Sequence, residues 1–139
     1  MILKIHSNNN METLLTNAIQ NEYNQPILLL NYKKIEDRKY SILSEMKLLT
    51  LRKKLKEYRH VDELQEFQIG RFIRWINLST KTFTNGGFIV RIDIEENGTV
   101  ITCKNGFNGF FKLKVDECII FQKITQQEHI LLAAMEHIN

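Results

Sequence analysis

All six glycines of this chain fall after residue 68, at positions 70, 86, 87, 98, 106 and 109, and residues 1–67 contain none. Glycine supplies the positive φ that tight hairpin turns need, so closely turned strands are confined to the second part. The first part reads as helix-rich. With 139 residues and 43% hydrophobic side chains, the chain can bury a core of its own. A 25% charged fraction excludes wholesale disorder and a fibrous repeat. No apolar run approaches the roughly 20 residues needed to cross a bilayer as a helix.

In the first part, Ile2–His6 is a short strand candidate. Asn9 or Asn10 can cap a helix reaching about Gln25, with Glu12 placed for a capping box from Asn9. Leu14, Leu15, Ala18, Ile19 and Tyr23 would form its apolar stripe, and Pro26 stops it. The run Ile27–Leu30 then reads either as a buried strand, completing a small β–α–β unit, or as a docking segment. From about Asp37 to Arg59 the period is helical again, with Leu48, Leu51, Leu55 and Tyr58 at 3–4 spacing.

The second part alternates with period two. Strands are expected over Ile69–Leu78, Phe88–Ile94, Thr99–Lys104, Phe110–Val115 and Cys118–Lys123, with a tight hairpin at Glu96-Asn97-Gly98. The alternation puts Phe88, Val90, Ile92 and Ile94 inward on one strand and Phe111, Leu113 and Val115 inward on another. Thr125 and Glu128 form a capping box for a last helix reaching Ile138. The expected class is α+β: a helix-rich lobe over residues 1–67, then five antiparallel strands and a closing helix over 68–139.

This strand order and spacing over residues 68–124 resembles an SH3-like small β-barrel. The acidic, aromatic-rich first loop of the proline-binding members is missing, and the Tudor, chromo and ribosomal-protein variants fit equally. The phrases Ile69–Ile76, Gly86–Val90 and Ile119–Lys123, with usage rich in Ile, Asn and Lys, are similar to small proteins of nucleocytoplasmic large DNA viruses. That resemblance implies a virion or virus-factory setting and carries over no functional residue.

Motifs for enzymatic chemistry are missing from the sequence. It has no nucleotide-binding glycine loop, no nucleophile elbow and no HExxH helix. His6, His60, His129 and His137 lack the i, i+4 spacing of a helical metal pair. Cys103 and Cys118 cannot build a disulfide framework; with no signal-like start they suit a reducing, cytoplasmic setting. Asp93 and Glu95 could share a cation, but they flank a solvated hairpin tip. No catalytic residue, metal or cofactor is expected, nor a small-molecule substrate.

Binding is the class the sequence favours. Phe83, Phe107 and Phe110 lie at or beside turns, where exposed aromatics mark a contact with another protein or a second copy. An assembly module is therefore the first expectation. The alternative is a sequence-tolerant RNA or DNA binder, because Arg91, Lys104, Lys112, Lys114 and Phe110 would share the outward sheet face. Arg52, Lys53 and Lys56, on the expected long helix, form a second basic cluster. The blander reading of both clusters is a solvated surface.

Overall fold

The computed structural model describes residues 2–106 and 109–138, with side chains over 11–106 and 109–137. It divides into two compact units, Met1–Asp37 with Ile124–Asn139, and Arg38–Lys123. The units do not divide at residue 67, because the last helix belongs with the first and the sheet takes in residues before Gln68.

In the first unit, α1 spans Ile2–Gln20. The expected strand Ile2–His6 is its opening, so Asn9 and Asn10 lie inside the helix and do not cap it. A run that short satisfies helical and strand periods equally well. Leu15 and Ala18 turn inward, whereas Leu14, Ile19 and Tyr23 are exposed, a narrower stripe than the spacing implies. The expected strand Ile27–Leu30 is instead part of a 3-10 helix, Glu22–Leu29, capped by the Asn21 side chain accepting from the Tyr23 N–H at 3.0 Å. No strand among the described residues of this unit could pair with it, so local i→i+3 bonds take up its backbone groups. Ala18, Ile27, Ile35, Ile124, Leu131 and Leu132 form the core of the unit. Helix α3 (Gln126–Ile138) opens on the expected capping box. The Thr125 N–H donates to Glu128 at 2.9 Å and the Glu128 N–H to Thr125 Oγ1 at 3.2 Å.

The divide between units falls inside α2 (Tyr32–Glu45). The continuous helix expected over Asp37–Arg59 ends early. Lys47 takes a φ of 60° and the Leu48 N–H reaches back to the Leu43 carbonyl at 2.8 Å, a Schellman closure without glycine. A 3-10 turn, Leu49–Arg52, follows, and the buried Lys39 ammonium donates to the Leu55 carbonyl at 2.9 Å.

The second unit holds six antiparallel strands: β1 (Tyr58–Val61), β2 (Phe72–Asn77), β3 (Gly87–Glu95), β4 (Gly98–Asn105), β5 (Gly109–Lys114) and β6 (Cys118–Lys123). Their order is β1-β6-β2-β3-β4-β5, an open sheet with β1 and β5 at its edges. The five-stranded closed barrel thus becomes six strands without closure. The strand not foreseen, β1, turns Arg59 inward, where it pairs with Glu66; both are nearly buried. Gln122, opposite Arg59, donates to the Glu66 carbonyl at 3.1 Å. The inner face buries Val61, Phe67, Ile73, Trp75, Ile89, Ile101, Cys103, Leu113 and Ile120. On the outer face, Ile76 and Phe121 pack with Leu43 and Leu55, so α2 and the 3-10 turn cover only the β2–β6 part. Gly86 (φ 89°) allows β3 to enter beside β2, since a Cβ there would stand 2.2 Å from the Ile73 carbonyl oxygen.

Candidate functional site

The uncovered outer face, across β2 to β5, is organised by a β-bulge in β3. Ile89 pairs with Cys103 and Arg91 with Thr102, leaving Val90 as the extra residue. Regular alternation would send Phe88 and Arg91 to opposite faces. The bulge turns both outward, while Ile89 and Ile92 stay with the core. The expected inward placement of Phe88 and Val90 is therefore corrected, since both are exposed; Ile94 keeps the parity of Ile92 but is exposed beside the hairpin, and of the four only Ile92 packs with the core.

The register then lines up a cross-strand row: Phe72 opposite Phe88, Phe88 opposite Lys104, Lys104 opposite Phe110. The Phe72 and Phe88 rings meet edge to face with centroids 5.0 Å apart, and the Lys104 ammonium sits 5.9 Å from the Phe110 ring centre. Phe88 is 52% exposed and Phe110 68%. Tyr58, its ring 6.5 Å from Phe72, extends the row to β1, where it lies opposite the exposed Lys123. Neighbouring strands stand about 4.8 Å apart, so Phe72 to Phe110 spans roughly 14 Å. Next along the sheet comes the row Arg91–Thr102–Lys112, then Asp93–Val100–Lys114.

Arg91, Lys104, Phe110, Lys112 and Lys114 thus share one exposed face. Arg91 Nε donates to Asp93 at 2.9 Å. Among the described residues, Lys104, Lys112, Lys114 and Lys123 form no ion pair. Charge is concentrated in this unit. Arg38–Lys123 holds 16 basic and 10 acidic side chains, a net of +6, against 3 basic and 6 acidic in the other unit, a net of −3. Arg52, Lys53 and Lys56 are exposed on the 3-10 turn and the turns after it, off any long helix, and the Arg52 guanidinium lies 5.2 Å from the Tyr40 ring centre. Of the aromatic trio, Phe83 and Phe110 have different surroundings. Phe83 is half-buried against Ile76 with the Arg74 guanidinium 4.0 Å over its ring, Phe107 lies outside the described residues, and Phe110 belongs to the row. Sequence reasoning misses Phe72, Phe88, Tyr58 and Lys123. Strand pairing reveals the row they form, and for Phe88 the bulge in β3, which leaves no mark in composition.

Besides this row, the described residues line two concavities, the first of them also reaching Val100, Lys112 and Lys114. A cleft of about 470 Å³ runs beside the open β5 edge, lined by Trp75, Asn77, Leu113, Lys114, Glu117 and Cys118. The first unit has an apolar cleft of about 570 Å³ between α1 and α3, lined by Leu15, Ile130, Ala133 and Ala134, with the Tyr32 hydroxyl 2.8 Å from His129 Nδ1. Burial pushes the Cys103 thiol up to about 12 and Cys118 to about 11, Glu117 adding to the latter, so both are poor nucleophiles at neutral pH. Among the described residues no three His, Cys, Asp or Glu side chains converge on a metal position, and no helix is long and apolar enough to cross a membrane. No family model, curated protein or solved structure matches the chain.

Proposed function

We propose that the outer face of β2–β5 is a sequence-tolerant platform for single-stranded RNA or DNA. The observation that carries this reading is the row Phe72–Phe88–Lys104–Phe110, the exposed rings of Phe88 and Phe110 with the half-buried Phe72, set about a lysine on adjacent strands. Base stacking on an aromatic ring is worth about 1–3 kcal/mol and accepts any base, because every base has a π-face. Lys104, Lys112, Lys114 and Arg91 add phosphate neutralisation, and the net +6 of this unit favours polyanion encounter. The order β6-β2-β3-β4-β5, with a 3-10 turn (Val115–Glu117) ahead of β6, supports reading the sheet as an opened SH3-like arrangement.

The test is a fluorescence-polarisation titration of labelled oligo-U and oligo-dT at 50 and 200 mM salt. Engagement of three to four phosphates predicts a log–log salt slope of about −2 to −3. No binding at the lower salt would refute the platform.

Assembly with another protein is the second reading, favoured by the open β5 edge. Phe111 is 46% exposed there although it lies on the inner face with Leu113, beside the Trp75 cleft. An extended segment pairing with β5 would cover it. Light scattering and pull-down with a β5-edge variant, Phe111→Lys, test that reading, and unchanged assembly would refute it.

A further inference from the structure

The row beside the aromatics contains an arrangement that stacking alone leaves unexplained. Thr102 stands between Arg91 on β3 and Lys112 on β5, and its chain neighbours Ile101 and Cys103 both point into the core, so its side chain lies on the outer face. It is only 7% exposed, and its Oγ1 has no hydrogen-bond partner among the described residues. Buried hydroxyls are nearly always paired, because stripping one of water without replacement is unfavourable. This one lies at the centre of a rung flanked by two exposed cations. Asp93 takes the Nε of Arg91, which holds the guanidinium while its Nη1 and Nη2 groups make no hydrogen bond among the described residues. With Lys112 and Lys114 against Asp93, the four charged groups on these two rungs keep a net charge of +2.

We infer that Arg91, Thr102 and Lys112 form a phosphate seat for the strand whose bases stack on Phe72, Phe88 and Phe110. The inference rests on the platform reading and adds to it the place where the backbone is held. A phosphate oxygen accepts from Thr102 Oγ1 as the Arg91 and Lys112 side chains swing over it, and the guanidinium offers a two-pronged contact that an ammonium cannot. The rung lies two residues from the aromatic row, about 6.8 Å along the sheet, so one nucleotide can reach both. The bulge at Val90 thereby acquires a role, since it sets Arg91 on the same face as Phe88.

The test compares wild type, Thr102→Val, Thr102→Ser and Lys112→Gln on a phosphodiester oligo-dT and on its uncharged methylphosphonate counterpart. Thr102→Val removes an unpaired hydroxyl at equal volume, so the melting temperature should hold or rise. Phosphodiester affinity should fall about tenfold, the loss of one hydrogen bond to a charged group. Thr102→Ser should recover most of it, and the methylphosphonate, which keeps only a neutral acceptor oxygen, should show a much smaller difference between the variants. Lys112→Gln, at an exposed position, should shallow the salt slope by about 0.7. If wild type binds and both Thr102→Val and Lys112→Gln bind equally well, the seat is overturned while the platform stands. If wild type binds neither oligonucleotide, the platform falls and the seat with it.

Discussion

His60 offers a quantitative test of the sheet's packing that is independent of any ligand. It stands on β1 with its ring edge against Phe121, centroids 5.9 Å apart, and its Nδ1 is buried without a partner among the described residues. Burial, reinforced by the Arg38 and Arg59 charges and only partly opposed by Asp62 and Glu66, lowers its pKa from 6.5 to about 4. The unfolded chain therefore takes up the imidazole proton more readily than the folded one. The neutral ring's contribution is fully present above pH 6.5 and is lost as pH falls from there toward 4. Between pH 7 and pH 5 this one group should cost about 2 kcal/mol of stability, approaching 3 kcal/mol at the acid end. Urea unfolding of wild type and His60→Phe at both pH values isolates the effect, since other titrations cancel in the difference. Wild type should lose about 2 kcal/mol more than the variant. Parallel pH profiles would show that His60 is not held neutral against Phe121 and would refute this packing of β1.

Other outcomes follow from single contacts. Phe88→Ala and Phe110→Ala should each shift unfolding by less than about 0.5 kcal/mol while weakening oligonucleotide binding at least fivefold, measured by denaturation and polarisation. Gly86→Ala should lower stability by about 2 kcal/mol or more, read by thermal melting, because the new Cβ would meet the Ile73 carbonyl at a φ of 89°. Lys39→Met leaves the Leu55 carbonyl without its buried donor and should cost about 1–3 kcal/mol in urea unfolding. Cys103 and Cys118 should resist a thiol reagent at pH 7.5 until denaturant is added, as followed by absorbance.

The sheet is legible in the sequence to the extent that its turns are. Glycine placement and period-two alternation locate β2 to β6 within a few residues, and the two-residue hairpin at Glu96-Asn97 is where Asn-Gly puts it. β1 is hidden because its inward positions are Arg59 and Val61, so a buried ion pair breaks the apolar alternation. The end of α2 is hidden for a different reason: Lys47 adopts the left-handed turn usually given to glycine, leaving no stop signal. The outward cations Arg91, Lys104, Lys112 and Lys114 follow from alternation, and they share a face. Alternation places Phe88 in the core because a one-residue bulge inverts every parity argument that crosses it. The aromatic row is illegible for the same reason, since it exists only in the pairing of four strands.

The most direct measurement is a set of amide and aromatic NMR shift changes on adding an oligo-dT to the isotopically labelled chain. Changes should concentrate on Phe72, Phe88, Thr102, Lys104, Phe110 and Lys112, with α1 and α3 unmoved. An unchanged spectrum, or shifts gathered around Arg52–Lys56 or the α1–α3 cleft, would contradict the platform.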